Sequence, residues 1–220
     1  MIPSVSGEFV ARMEDVLDVY AEPEDPKRPK VCFDECPHQV VEEVRQPLPA
    51  KPGQPRRVDY EYRRNGTCNL FMMLEPDRGW RHVEITERRT MVDFAQQMKA
   101  LVDVHFPDAE VIRVIIDNLN THDPGSLYEA FPPAEARRIA RKLEFHFTPK
   151  HGSWLNAAEV ELAALTKQCL GRRIPDVGSV RREVGAWEGQ RNDEGIRVHW
   201  CFSSSDARTK LARLYPVKTA

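Results

Sequence analysis

The sequence predicts an α/β fold: a mixed sheet of three antiparallel and two parallel strands, flanked by helices, with a small helical C-terminal tail. Three observations predict it. Five apolar or alternating segments, Lys30–Asp34, Thr67–Leu74, Trp80–Thr86, Val111–Ile116 and Leu143–Phe147, read as strands. Helical periodicity separates the last three and follows the fifth. The 220 residues are 41% hydrophobic and 30% charged, enough for one sizeable core plus a small appendage.

The elements follow in order. Phe9, Met13, Val16, Leu17 and Tyr20 recur at helical spacing behind Ser6, a suitable cap. The proline-broken run Glu22–Pro29 then reads as a linker, which sets residues 1–29 apart as an appended helix. Lys30–Asp34 is a short strand ending in an acid, and residues 41–57, with four prolines, read as a loop. Val58, Tyr60 and Tyr62 alternate towards a tight turn at Asn65-Gly66, and Thr67–Leu74 and Trp80–Thr86 complete a meander. Thr90 caps a helix with Asp93 at its third position and Phe94, Met98, Leu101 and Val102 on one face. Val111–Ile116, interrupted only by Arg113, suits a buried central strand ending at Asp117. A helix carrying Arg137 and Arg141, the strand Leu143–Phe147 and a helix from Asn156 complete the core. Two crossover connections make the last two strands parallel to the first. That order is the order of a ribonuclease-H-like domain, placed at residues 30–171, with a basic helical extension at 172–220.

No apolar run reaches the 18 or more residues of a membrane helix, and Met1-Ile2-Pro3-Ser4 opens no signal peptide, so a cytoplasmic protein without membrane partners is expected. Five cysteines without regular spacing fit a reducing compartment. Cys32-x3-Cys36 near His38 lacks the second cluster a zinc site needs. The net charge of −2 argues against a nucleic-acid-coating protein, yet the basic residues are uneven. Residues 163–220 hold 11 Lys/Arg against 6 Asp/Glu, and Arg56, Arg57, Arg63 and Arg64 form another cluster, as do Arg137, Arg138, Arg141 and Lys142. Arg172 and Arg173 belong to the first of these. Each is a candidate phosphate-binding patch and equally a solvated face.

Asp34 and Asp117 both follow apolar strands, and ligand sites of open α/β sheets gather at strand carboxyl ends. An acid on the last core helix, Glu159 or Glu161, would complete a set of hard oxygen ligands for divalent metal and phosphodiester chemistry. Each acid also has a local reading: Asp34 as a turn residue beside Glu35, Asp117-Asn118 as an Asx turn, Glu159 as the capping-box partner of Asn156.

Three blocks carry a resemblance. Val31-Cys32-Phe33-Asp34-Glu35, Val114-Ile115-Ile116-Asp117-Asn118-Leu119-Asn120-Thr121-His122 and Phe147-Thr148-Pro149-Lys150-His151-Gly152-Ser153-Trp154-Leu155-Asn156-Ala157-Ala158-Glu159 resemble, in order, the catalytic blocks of DDE transposases. The most similar group is the bacterial insertion-sequence branch of the mariner-like superfamily, along nearly the whole chain. The resemblance implies metal ligation by Asp34, Asp117 and Glu159, with Glu159 chosen over Glu161 by the Leu-Asn-x-x-Glu pattern. It implies Mg²⁺ or Mn²⁺, as two ions. It implies cleavage at transposon ends and transfer of the freed 3′-hydroxyl to target double-stranded DNA, at a TA step. Asn118, His122, Lys150 and Asn156 lie in the blocks as supporting or DNA-contacting residues, with loop hydrogen bonding as their local alternative. A homodimer on DNA follows from the need to hold two ends together.

The chain opens at the helix that follows the family's helix-turn-helix modules. A truncated copy, a separate reading frame or a partial product is therefore expected, with an upstream helix-turn-helix protein as partner. Asp117 and Glu159 are separated by 41 residues, more than the family's usual spacing. Trp200 and Phe202 are expected to pack the tail on the core rather than stack on bases. The competing readings are a ribonuclease-H-like nuclease without strand transfer and a non-catalytic remnant that binds DNA or a partner transposase.

Overall fold

The computed structural model describes residues 6–45, 47–57 and 59–216; Val58 and Met1–Ser4, both used above, lie outside the described residues. A five-stranded sheet has the order β3-β2-β1-β4-β5. It comprises β1 (Lys30–Glu43), β2 (Tyr62–Glu75), β3 (Trp80–Thr86), β4 (Ile112–Ile116) and β5 (Leu143–Phe147). The β1–β2 and β2–β3 pairs are antiparallel, and β1–β4 and β4–β5 are parallel, as expected.

The pleat sorts side chains to two faces. Val31, Phe33, Phe71, Met73, Val114 and Ile116 face a core shared with α2 (Met91–Ala100), α3 (Ser126–Ala130) and α4 (Pro133–Ala140). Cys32, Leu70, Met72, Leu74 and Ile115 face the other core, covered by α1 (Gly7–Ala21), α5 (Ala157–Leu165), α6 (Val177–Asp193) and α7 (Ser204–Lys210). Residues 1–29 and 172–220, set apart in the sequence reading, thus contribute α1, α6 and α7 to the same core as α5.

Ser6 accepts from the Phe9 amide at 3.4 Å, and α1 buries the five residues its periodicity marked. The Tyr20 hydroxyl donates to the Leu155 carbonyl at 2.9 Å and accepts from the Ala157 amide at 3.1 Å. That pair of bonds anchors α1 to the start of α5. Thr90 and Asp93 form the expected capping box. Trp200 stacks on Tyr20 with ring centroids 4.4 Å apart, the packing role expected of it.

Two expectations need correction. Asn65-Gly66 is no hairpin turn: both residues lie inside β2, where the register shifts between Gln39 and Val41 of β1. Gly66 has φ 104°, which a bulge of this kind demands and other residues resist. Nor does β1 stop at Asp34; it continues to Glu43 because β2 keeps pairing with it. Pro37 is tolerated there, since β1 pairs with β4 only as far as Cys32 and is an edge beyond it.

Candidate active site

The parallel ladder places the first two acids. Val31 pairs with Val114 and Cys32 with Ile115, so two further steps bring Asp34 level with Asp117. β4 ends at Ile116 while β1 runs on with β2 alone. Asp34 therefore sits where the sheet opens, at the carboxyl end of its neighbour rather than of its own strand.

Asp34 is half-buried. Burial is the main cause that pushes its carboxyl up to about 7, against a 2.8 Å hydrogen bond from the Glu35 amide; the charges of Glu35, Asp117 and Glu159 push it further. The three acids therefore share one electrostatic neighbourhood. At Asp117 burial also acts upwards, but it is outweighed. The His122 ring at 2.6 Å, the Leu119 amide at 3.0 Å and the charges of His122 and Arg89 hold that carboxyl below its ordinary range. His122 is itself buried, which alone would lower its pKa; Asp117 and Glu35 raise it to about 9, so it is an imidazolium at neutral pH.

The two candidates for the third acid differ in what they touch. Glu161 is buried, with Arg81 Nε 2.8 Å and Arg191 Nε 2.7 Å from Oε1, and Arg191 Nη2 3.1 Å from Oε2. Its charge is already spent. Glu159, in the first turn of α5 and half-buried, has no side-chain hydrogen bond or ion pair among the described residues. Its capping-box alternative fails, because the Asn156 amide already donates to the Ser153 carbonyl at 2.7 Å. Asn156 instead does two things: Oδ1 caps α5 through the Ala158 amide at 3.1 Å, and Nδ2 donates to the Phe33 carbonyl at 2.8 Å. It thereby ties the helix bearing Glu159 to the strand bearing Asp34.

Asn118 is exposed; its Nδ2 donates to the Thr148 carbonyl and its Oδ1 accepts from Arg12. A cleft of about 590 Å³ opens beside it, lined by Ser6, Glu8, Phe9, Arg12, Asn118 and the segment Pro149–His151. Gly152 permits this loop's tight return, because a Cβ there would lie 2.5 Å from Pro149 Cγ. Lys150 is exposed on the cleft and makes no ion pair among the described residues.

The basic clusters do not converge on the acids. Arg63 lies 3.8 Å from Glu42, eight residues and about 25 Å along β1 from Asp34. Arg64 lies over the Tyr62 ring, and Arg56 and Arg57 are exposed on the connecting loop. Arg172 pairs with Glu183, and Arg173 with Glu43 and the Asp59 carbonyl. On α4, Arg138 is held by Asp103 and Glu135. Sequence reasoning missed Arg12, Arg89 and His151, and took Glu35 only for a turn neighbour; the adjacency Asp34-Glu35 was the one signal available.

Among the described residues, no three His, Cys, Asp or Glu side chains already stand close enough to hold a metal ion. The donor chemistry nonetheless suits a hard divalent cation. Asp34 and Asp117 each commit only Oδ1 to protein donors, leaving Oδ2 open, and Glu159 leaves both oxygens open. No helix among the described residues is long and apolar enough to cross a membrane.

The fold is that of Mos1 mariner transposase structures. The chain aligns with the Mos1 paired-end complex with Mn at TM-score 0.58 and 16% identity, covering 88% of this chain and 60% of that one. For the Mos1 strand transfer complex the values are 0.59, 15%, 89% and 59%. For the Mos1 paired-end complex with Mg they are 0.54, 19%, 89% and 59%. The chain thus spans about 60% of the length of these solved chains. No curated protein sequence matches it. The sequence profile of the DDE superfamily endonucleases matches residues 29–181, which takes in β1 to the start of α6 with all three acids, and the chain therefore belongs to the DDE superfamily endonuclease family.

Proposed function

We propose that this chain is a transposase catalytic domain that cleaves DNA at transposon ends and transfers the strand to target DNA, with Asp34, Asp117 and Glu159 as metal ligands. The three sequence blocks favour the bacterial insertion-sequence branch of the mariner-like superfamily. The observation that carries the reading is the placement of the acids: the β1–β4 register brings Asp34 level with Asp117, and Asn156 ties the helix bearing Glu159 to β1, so that the charges of Asp117 and Glu159 add to the burial that raises Asp34 to about 7. When bound, two Mg²⁺ or Mn²⁺ ions supply charge stabilisation at the attacking and leaving oxygens of an in-line displacement.

The chain's own residues do the rest. His122 occupies Oδ1 of Asp117, which would leave Oδ2 free to hold a metal ion. Asn156 holds the start of α5 against β1, which sets the approach of Glu159 to Asp34. Arg12, Asn118, Lys150 and His151 line the adjacent cleft, where cationic and amide groups fit the phosphates of a duplex entering the site. The Mos1 structures include a paired-end complex with the left transposon end and a strand transfer complex, which supports transposon-end and target DNA as partners. A homodimer on DNA, an upstream helix-turn-helix protein and a cytoplasmic, nucleoid-associated location belong to the same proposal. The patches at Arg56, Arg57, Arg63, Arg64, Arg172 and Arg173 make no contact with the three acids among the described residues and fit outlying DNA contacts.

The test is incubation with Mn²⁺, supercoiled plasmid and a pre-cleaved duplex bearing a free 3′-hydroxyl. The expected products are nicked circles and joined strands, both lost in Asp117→Asn and Glu159→Gln. Nicking without joining would leave a nuclease that lacks strand transfer. Neither product, together with no calorimetric Mn²⁺ binding, would leave a non-catalytic DNA-binding remnant.

A further inference from the structure

We propose that Glu35 is a positioning residue: acting through His122, it forms a buried strut that fixes the separation of Asp34 and Asp117. This inference rests on the metal-site reading above and deepens it. Asp34 and Glu35 are neighbours on β1, so their side chains leave opposite faces of the sheet. Asp34 is left to the metal site. Glu35 turns to the face of Phe33 and Phe94, where its side chain is only 4% exposed. His122, 1% exposed, stands between the two carboxylates: Nδ1 is 2.6 Å from Asp117 Oδ1 and Nε2 is 2.9 Å from Glu35 Oε2.

The ring has no freedom to do otherwise. Phe33 packs edge-on against it at 5.5 Å and Phe94 lies at 5.0 Å, so the imidazole is held in one plane. Arg89 Nη1 reaches Glu35 Oε1 at 3.4 Å and closes the outer end of the strut. Burying a carboxyl group this deeply carries a desolvation cost that an apolar side chain filling the same pocket would avoid. Its geometric consequence is specific. Beyond Cys32 no strand pairing connects β1 to β4. The Glu35–His122–Asp117 contacts are therefore what spans the opening between the first two acids. Asn156 makes the corresponding tie between β1 and α5. Two struts, one on each side of Phe33 and Asp34, thus frame all three ligands. Carboxylate–histidine pairs behind a metal ligand typically tune metal affinity by 10–100-fold.

The test is calorimetric Mn²⁺ titration of the full chain, with the thermal midpoint of each metal-free variant measured alongside. Glu35→Gln keeps the volume but weakens the grip on the ring. His122→Asn keeps a donor for Asp117 but cannot reach Glu35. Each is expected to weaken Mn²⁺ binding by about 10-fold or more. The double variant is expected to bind no more weakly than the worse single one, because both cut the same strut. Asp117→Asn separates the two claims. If it leaves Mn²⁺ binding intact, the metal-site reading itself fails. If it weakens binding while Glu35→Gln and His122→Asn bind as wild type and only melt earlier, Glu35 and His122 are packing residues and the strut is refuted.

Discussion

Glu159 and Glu161 lie two residues apart on α5, and the structure gives them opposite fates under the same substitution. Glu161 is 1% exposed and neutralises Arg81, itself 0% exposed, together with Arg191. Glu161→Ala strands the Arg81 guanidinium in the core. Removing one partner of a buried pair costs about 3–5 kcal/mol. In a chain of this size each kcal/mol shifts the thermal midpoint by about 2–4 °C, so a fall of roughly 6–20 °C is expected. Glu159→Ala removes no hydrogen bond or ion pair among the described residues and relieves repulsion at Asp34, so its stability should stay within about 0.5 kcal/mol of wild type. Thermal melts monitored by circular dichroism, paired with Mn²⁺ titration by calorimetry, give both readouts. Glu159→Ala should lose metal binding and keep stability. Glu161→Ala should lose stability, while protein held folded at low temperature keeps its metal affinity. A stable Glu161→Ala that no longer binds Mn²⁺, beside a Glu159→Ala that still does, would refute the assignment and the ion-pair reasoning together.

Glu75 gives a pH signature away from the site. Burial is the main cause that raises its carboxyl from near 4.5 to about 7, and Arg78 and Lys30 only partly oppose it. The folded chain thus binds a proton that the unfolded chain has released between those values, so stability falls as pH rises through that window. Glu75→Gln should be more stable than wild type by about 1–3 kcal/mol at pH 8 and indistinguishable from it near pH 4 in urea melts; equal gains at both pH values would show that the carboxyl's ionisation is not the cause. At the cleft, Lys150→Ala should weaken duplex binding and lower the slope of log K against log salt by about one in fluorescence anisotropy. Arg138→Ala should leave that slope unchanged, because Asp103 and Glu135 already occupy its guanidinium.

Local pattern made most of the fold legible. β4 is buried at all five positions, and its apolar run announces it; the Thr90–Asp93 and Ser6 caps announce two helix starts. What was not legible depends on partners distant in sequence. Residues 35–43 carry Pro37 and many polar groups and look like the approach to a loop, yet they are strand because β2 supplies the ladder. Asn65-Gly66 has the composition of a tight turn, and only the register with β1 reveals the bulge. The choice of Glu159 came from a family resemblance; its physical reason lies in Arg81 and Arg191, 80 and 30 residues from Glu161 in the chain. Glu35 was overlooked because its partner His122 is 87 positions away.

On the metal-site reading, the same network gives the segment after Gly171 a part in chemistry it does not itself perform. α5 carries Glu159 at its first turn, and its far end passes into the looser turn Thr166–Leu170. Propensity alone holds a nine-residue helix poorly. Its hold comes from α6: Arg191 grips Glu161, Trp187 Nε1 donates to Gln168 at 2.9 Å, and Val180, Val184 and Trp187 share its core. Arg81 joins from β3. The helix is thus pinned at its start by Asn156 and Tyr20, at its middle by two arginines and at its end by an indole. On that reading Glu159 has to meet two other carboxylates across an opening in the sheet, which calls for such a mount. In this chain the part that reads from the sequence as an extension supplies two of its holds, Arg191 and Trp187.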